Sequence, residues 1–365
     1  MDTIDVATVE ANSHSQSCNL SRTVLSRNVK LDSNKFLNRP RMLKFQQHPK
    51  EYTDVFLDDT DRPLPEVLNP NTRYKFLSTI AKGGKSLINA VKDMHLSRVV
   101  VYKTLRPEFV DDEIERTRLL REARVSAMLQ HPNTIPTYEI GRDSHGNYYF
   151  TMKLVHGYTL REVMDYRERY DLTQLIEVIE QVTQALAYAH THGVAHRDIK
   201  PENILIGPYG EVVIMDWGLA KVWGKDGHSV DESTHEERQL ADSDKSITGH
   251  GKAQGTLCYM SPEQIRRDPD ISFSTDIYSL GSVLFEILAG QPPFDGDKVY
   301  EITDAVQRDA PPKPSEISKY PVPRSLENLC LKCLNKDPAA RPESMNELIV
   351  TLNQDWLSEL IPRKR

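Results

Sequence analysis

The string His196-Arg197-Asp198-Ile199-Lys200-Pro201-Glu202-Asn203 constrains this 365-residue chain more than any other. It places an aspartate, then a lysine, then an asparagine inside one short loop. Directly after it, Ile204-Leu205-Ile206 and Val212-Val213-Ile214 flank Gly207-Pro208-Tyr209-Gly210. Two short β-branched runs around turn residues predict a hairpin. A hairpin folds its ends together, so Asn203 arrives beside Asp216 of Asp216-Trp217-Gly218. An amide oxygen next to a carboxylate suits a hard cation such as Mg2+, which takes few protein oxygens and fills its shell from phosphate and water. Asp198 is then positioned to orient a hydroxyl against a metal-held phosphate.

These residues satisfy H-R-D-x-K-x-x-N followed by D-x-G, and on them the chain resembles the eukaryotic-like (Hanks-type) serine/threonine protein kinases of bacterial type. The resemblance implies the α+β class and the two-lobed protein-kinase fold, with a β-rich N-lobe and an α-helical C-lobe. It implies ATP with Mg2+ or Mn2+, protein substrates, and transfer of the γ-phosphate to Ser or Thr hydroxyls. It covers about residues 74–355, the N-lobe running to about 155 and the C-lobe from 156. Residues 1–70 read as a flexible polar extension and 356–365 as a short tail.

Periodicity agrees with two lobes. Phe76 to Ile80, Leu87 to Val91, Val99 to Leu105 and Tyr148 to Val155 read as strands. Asp111 to Leu129 has helical spacing after an acidic first turn. Asp171-Leu172-Thr173-Gln174 reads as a capping box opening a helix that Gly193 closes, and Ser274 to Ala289 is an apolar helix stopped by Gly290.

Carried over position by position, Asp198 is the catalytic carboxylate and Lys200 the neutraliser of the moving phosphoryl group. Asn203 and Asp216 are the metal ligands. Lys103 is the strand lysine for the α- and β-phosphates, and Glu122 is its carboxylate partner. Glu113, Glu115 and Glu122 all admit a reading as solvated helix charges; Glu122 is preferred as the partner because it alone lies on the later, inward-facing part of the helix. The glycine-rich loop falls on Ala81-Lys82-Gly83-Gly84-Lys85-Ser86, of which Ala81, Gly83 and Ser86 stand at the family's glycine positions. Glycine permits close backbone approach to phosphate, and Ala and Ser are its smallest substitutes. Lys82 and Lys85 add charge there, near phosphate or in solvent. Ile80, Ile88, Val101 and Leu205 should enclose the adenine, with Lys153 and Val155 in the linking segment that reads its edge. Trp217 replaces the usual Phe, and Ser126, one turn after Glu122, is small enough to make room for it. Glu263 and Arg341 match a buried ion pair, and Asp276 matches the carboxylate that braces the catalytic loop. His196 reads as a packing residue.

The segment between Gly218 and Gly255 is long and polar. Arg197 before the catalytic aspartate suggests control by a phosphate there, with Thr248 and Ser246 the leading acceptors and Ser243, Ser233 and Thr234 behind them. A net charge of -7 disfavours nucleic acid as a partner. Four scattered cysteines, Cys18, Cys258, Cys330 and Cys333, fit a reducing compartment and a cytoplasmic location rather than a disulfide framework. Cys330 and Cys333 have zinc-like spacing but no second pair. The opening residues lack a leader's basic and apolar pattern, and no apolar run is long enough to span a membrane. The competing reading is a pseudokinase scaffold with weak or no nucleotide binding, favoured by the thinned glycine loop and opposed by the intact Lys103, Asp198, Lys200, Asn203 and Asp216. The oligomeric state is not encoded in any motif.

Overall fold

The computed structural model describes residues 69–165, 171–207, 210–224, 256–354 and 356–360. The N-terminal extension up to residue 68 and the candidate phosphate acceptors Ser233, Thr234, Ser243, Ser246 and Thr248 lie outside the described residues, as do Gly255 and residues 361–365.

Five strands form the first lobe: β1 (Tyr74–Lys82), β2 (Ser86–Asp93), β3 (Arg98–Leu105), β4 (Thr137–Arg142) and β5 (Tyr148–Lys153). Their order across the antiparallel sheet is β1-β2-β3-β5-β4. Val100 and Val101 are both buried because β3 lies at the centre of the sheet. Helix α1 (Glu113–Met128) packs on β3, β4 and β5. It starts where Asp112 accepts hydrogen bonds from the Ile114 and Glu115 amides at 3.0 and 3.2 Å, satisfying two N–H groups that the first turn leaves open.

The second lobe is helical. Short β6 (Tyr158–Thr159) and α2 (Leu160–Asp165) lead to α3 (Leu172–Thr191), whose Asp171 cap accepts from the Gln174 amide at 3.0 Å. Gly193 ends it at φ +72°, and a Cβ there would stand 2.6 Å from the Trp223 carbonyl oxygen, so glycine is required. After β7 (Val194–Ala195) come the catalytic-type loop and the hairpin of β8 (Ile204–Ile206) and β9 (Val212–Ile214), with the bounds the sequence predicts. Strand β10 (Lys221–Val222) pairs back on β7.

Helices α4 (Pro262–Arg266), α5 (Ser274–Ala289), α6 (Val299–Arg308), α7 (Arg324–Cys333) and α8 (Met345–Leu352) complete the lobe, and Trp356–Leu360 adds a helical turn whose Trp356 is buried. From Thr275 to Ala289 every residue of α5 is buried, so this helix is the axis of the lobe. Helix α7 reaches it closely because Gly281 has no side chain: a Cβ would meet that of Cys333 at 2.5 Å. Cys330 sits beside it, 3.4 Å from the Gly281 carbonyl oxygen, so both cysteines serve this helix contact. Burial pushes the thiols of Cys258 and Cys333 up to about 12, and that of Cys330 well above its ordinary value. Among the described residues no helix is long and apolar enough to cross a membrane.

Candidate active site

The loop between β7 and β8 is held from below by α5. Buried Asp276 accepts hydrogen bonds from the amides of His196 at 2.8 Å and Arg197 at 2.7 Å, and from Nε2 of His190 at 2.8 Å. Burial alone would raise its pKa, but His190, His196 and the Arg197 amide lower it, so Asp276 stays ionised. Arg197 adopts a left-handed φ of +69°, which is uncommon outside glycine. Its amide is fixed by Asp276, and its carbonyl accepts from Gln264 Nε2 at 2.6 Å. His196 is fully buried; its Nε2 donates to the Met215 carbonyl at 2.9 Å, and its Nδ1 accepts from the Asp198 amide at 3.2 Å. Both ring nitrogens are therefore committed to the loop, and His196 holds geometry, as the sequence reading has it. His190 is likewise committed, through Nε2, to Asp276.

This bracing presents Asp198. Its carboxylate accepts from Lys200 Nζ at 2.9 and 2.8 Å and from Asn203 Nδ2 at 2.9 Å, while Asn203 Nδ2 also reaches the Asp198 carbonyl at 2.8 Å. Asn203 belongs to a 3-10 turn, Pro201–Asn203, and its backbone carbonyl receives the Met215 amide at 2.9 Å. The hairpin thus sets Asn203 across from the residue preceding Asp216. Because the Asn203 nitrogen faces Asp198, its side-chain oxygen remains as an acceptor. Asp216 is left-handed at φ +62°, and a Cβ on Gly218 would crowd its Oδ1 at 3.3 Å. Burial raises the Asp198 pKa above the ordinary aspartate value, although Lys200 opposes this. Lys103 pulls the Asp216 pKa down against burial. Two neighbouring carboxylates are thereby pushed apart in acidity.

Above them, Lys103 Nζ meets Glu122 at 2.6 Å to Oε1 and 2.7 Å to Oε2, and both residues are buried. Burial pulls the Lys103 pKa down, yet Glu122 and Asp216 outweigh it and hold the amine cationic. Helix α1 also lies against the Trp217–Leu219 turn. Trp217 is fully buried, edge-on to His196 with ring centroids 4.5 Å apart, and Ser126 is buried on α1.

Ile80, Ile88, Val155 and Leu205 pack against one apolar cluster that contains Val101, so the expected adenine-facing side chains are brought together. Lys153 is exposed, and its amide donates to the Pro136 carbonyl at 2.9 Å, which leaves that N–H unavailable to a ligand. In the roof, Ala81 pairs with Ile88 and Lys82 with Leu87, so Ala81 lies within the ladder. The Gly83 amide donates to the Ser86 carbonyl at 2.9 Å, and neither Gly83 nor Gly84 has a positive φ.

Two expectations change. Glu115, read as solvated, is buried and accepts from Lys85 Nζ at 2.7 Å and Arg118 Nη1 at 2.8 Å. Lys85 is accordingly directed to α1. Lys200 has a further partner that the sequence does not reveal: Thr256 Oγ1 stands 3.3 Å from its Nζ, a meeting of residues far apart in the chain that carries no local signal.

Among the described residues no cluster of three or more His, Cys, Asp or Glu side chains is placed to hold a metal. The donor set at the loop is instead the pair of oxygens on Asn203 and Asp216, which fits a cation that completes its shell with phosphate and water.

Comparison with known proteins agrees with this geometry. A protein kinase domain model matches residues 74–357. The chain is 36% identical over 295 residues to Serine/threonine-protein kinase PknD of Protochlamydia amoebophila, covering 76% of this chain and 29% of that protein. It is 33% identical over 294 residues to Serine/threonine-protein kinase PrkC of Bacillus subtilis, covering 80% and 42% respectively. It is 30% identical over 287 residues to Serine/threonine-protein kinase PknD of Mycobacterium tuberculosis, covering 79% and 40%. The chain thus spans less than half the length of each of these relatives. With a matched kinase domain over most of its length, the chain belongs to the protein kinase family, among the Hanks-type serine/threonine kinases of bacteria.

Proposed function

We propose that this chain transfers the γ-phosphoryl group of ATP to Ser or Thr hydroxyls of proteins, including acceptors in its own segment between Gly218 and Gly255. The observation that carries this reading is the Asp198 carboxylate, gripped by Lys200 and Asn203 within one loop. A substrate hydroxyl brought to Asp198 is oriented by a carboxylate able to accept its proton. Lys200 supplies positive charge where the phosphoryl group moves, and Thr256 helps to hold that lysine in reach. Lys103, fixed by Glu122, provides the cation for the α- and β-phosphates. Asn203 and Asp216 would hold Mg2+, with Mn2+ as an alternative; when bound, the metal neutralises phosphate charge. The adenine would lie among Ile80, Ile88, Val101 and Leu205, with Val155 at its edge and the roof of Ala81, Gly83 and Ser86 over the phosphates. The reducing compartment that four scattered cysteines favour is the cytoplasm.

The reading is tested by incubating the protein with labelled ATP, Mg2+ and a generic protein substrate, beside an Asp198→Asn variant. Transfer at least ~10²-fold above the variant supports it, in line with the usual contribution of a positioned general base. No transfer by the wild type beyond that of the variant would reject it in favour of a pseudokinase scaffold with weak or no nucleotide binding.

A further inference from the structure

The roof loop departs from a glycine-rich design in composition, and it is tied down at its tip. Gly83 and Ser86 close the turn through their backbone, at 2.9 Å. The Arg106 amide donates to the Lys85 carbonyl at 2.9 Å, and Arg106 Nη1 donates to the Gly84 carbonyl at 3.1 Å. Lys85 Nζ then reaches Glu115 at 2.7 Å, where Arg118 also donates at 2.8 Å. The Lys85 side chain is 37% exposed, but that of Glu115 is only 8% exposed, so one end of the pair is shielded from solvent.

Glu115 and Glu122 lie seven residues apart on α1, close to two helical turns, so they share a face about 10 Å apart. One helix face therefore makes two ionic contacts. Glu122 fixes the strand lysine, and Glu115 fixes the tip of the loop. Any rotation or outward shift of α1 that strained one pair would strain the other. A loop rich in glycine can settle onto phosphates through its own backbone freedom. Here Ala81 is in the ladder and neither glycine of the turn uses a positive φ, so the loop's placement comes from its ties to Arg106 and α1.

We propose that Lys85 is a positioning residue which, through Glu115, latches the roof loop to α1 and so presets it for the nucleotide phosphates. This rests on the reading that the loop covers ATP. The latch is a preorganising device: the ordering cost of the loop is met before the ligand arrives.

Binding of a non-hydrolysable ATP analogue with Mg2+ is measured by calorimetry for the wild type, Lys85→Met, Lys85→Arg and Glu115→Gln. Hydrogen exchange of the Gly83 and Arg106 amides is followed in the nucleotide-free proteins. Lys85→Met and Glu115→Gln are each expected to bind about tenfold more weakly and to exchange both amides faster, and Lys85→Arg, which keeps the cation, to retain most of both properties. Where phosphoryl transfer is measurable, KM for ATP rises while kcat changes little. Unchanged affinity and exchange in Lys85→Met would overturn the proposal. So would tighter binding by Glu115→Gln, because that result means Lys85 acts on the phosphates directly once released. A loss in Lys85→Arg as large as that in Lys85→Met would also overturn it. If Glu115→Gln does not fold, Lys85→Met, altered at a partly exposed position, decides alone. Absence of phosphoryl transfer by the wild type would reject the kinase reading and leave the binding and exchange measurements interpretable.

Discussion

Asp198 and Asp216 show how environment gives one residue type two characters. Asp198 is raised mainly by burial, with Lys200 pulling the other way. Asp216 is lowered mainly by Lys103. The first is suited to exchanging a proton with a hydroxyl and the second to remaining an anion. Since a raised pKa means half-protonation at a higher pH, the acid limb of kcat/KM against pH is expected above the ordinary aspartate value. Lys200 lowers the Asp198 pKa, so Lys200→Met moves that limb to still higher pH, besides lowering the rate. A pH profile of the two proteins checks the sign, and a limb that stays put or moves down contradicts it. Asp198, Lys200 and Asn203 were legible in sequence because they lie within six residues of each other, where chain geometry alone brings them together. Lys103 and Glu122 were legible only through the resemblance. Glu115 was misread because its burial depends on which face of the helix meets the sheet and the loop. That face carries charged residues at Glu115 and Glu122, which blurs the apolar stripe a sequence reading relies on.

At the scale of elements, the hairpin of β8 and β9 was readable to the residue, since turn chemistry and two short apolar runs fix its length. The first two strands extend beyond their predicted bounds, because the flanking Tyr74, Lys82, Ser86 and Asp93 are recruited by pairing with the neighbouring strand, and propensity does not encode that. The packing of α1 on the Trp217 turn is the element-level feature with the clearest consequence. Trp217 is fully buried and Ser126 is 3% exposed, so there is little slack for a larger side chain. Ser126→Leu is expected to cost ~1–3 kcal/mol by overpacking. It is also expected to weaken the Lys103–Glu122 pair by shifting α1. Thermal unfolding and ATP-analogue affinity measured together test this; a Ser126→Leu protein unchanged in both excludes the fit between Ser126 and Trp217.

At the scale of the whole molecule, the helical lobe is closed by an ion pair between distant parts of the chain. Arg341 meets Glu263 at 2.6 and 2.8 Å and also donates to the Ser274 and Asn335 carbonyls, at 2.9 and 2.8 Å. Both residues are buried, as their match to the family's pair anticipates. Removing one partner leaves the other charge uncompensated, so Arg341→Met is expected to cost roughly 3–5 kcal/mol. The cysteines supply the means of seeing it. A thiol reacts as its thiolate, and Cys258, Cys330 and Cys333 are all sheltered with their ionisation suppressed. In a Cys18→Ser background, alkylation of the native protein is therefore expected to be slow and to quicken by at least ~10²-fold in Arg341→Met, following the larger open population. A rate unaffected by Arg341→Met would mean that the pair does not govern opening. The helix contact around Gly281 thus makes the protein its own chemical clock, with a covalent label recording how often the lobe comes apart.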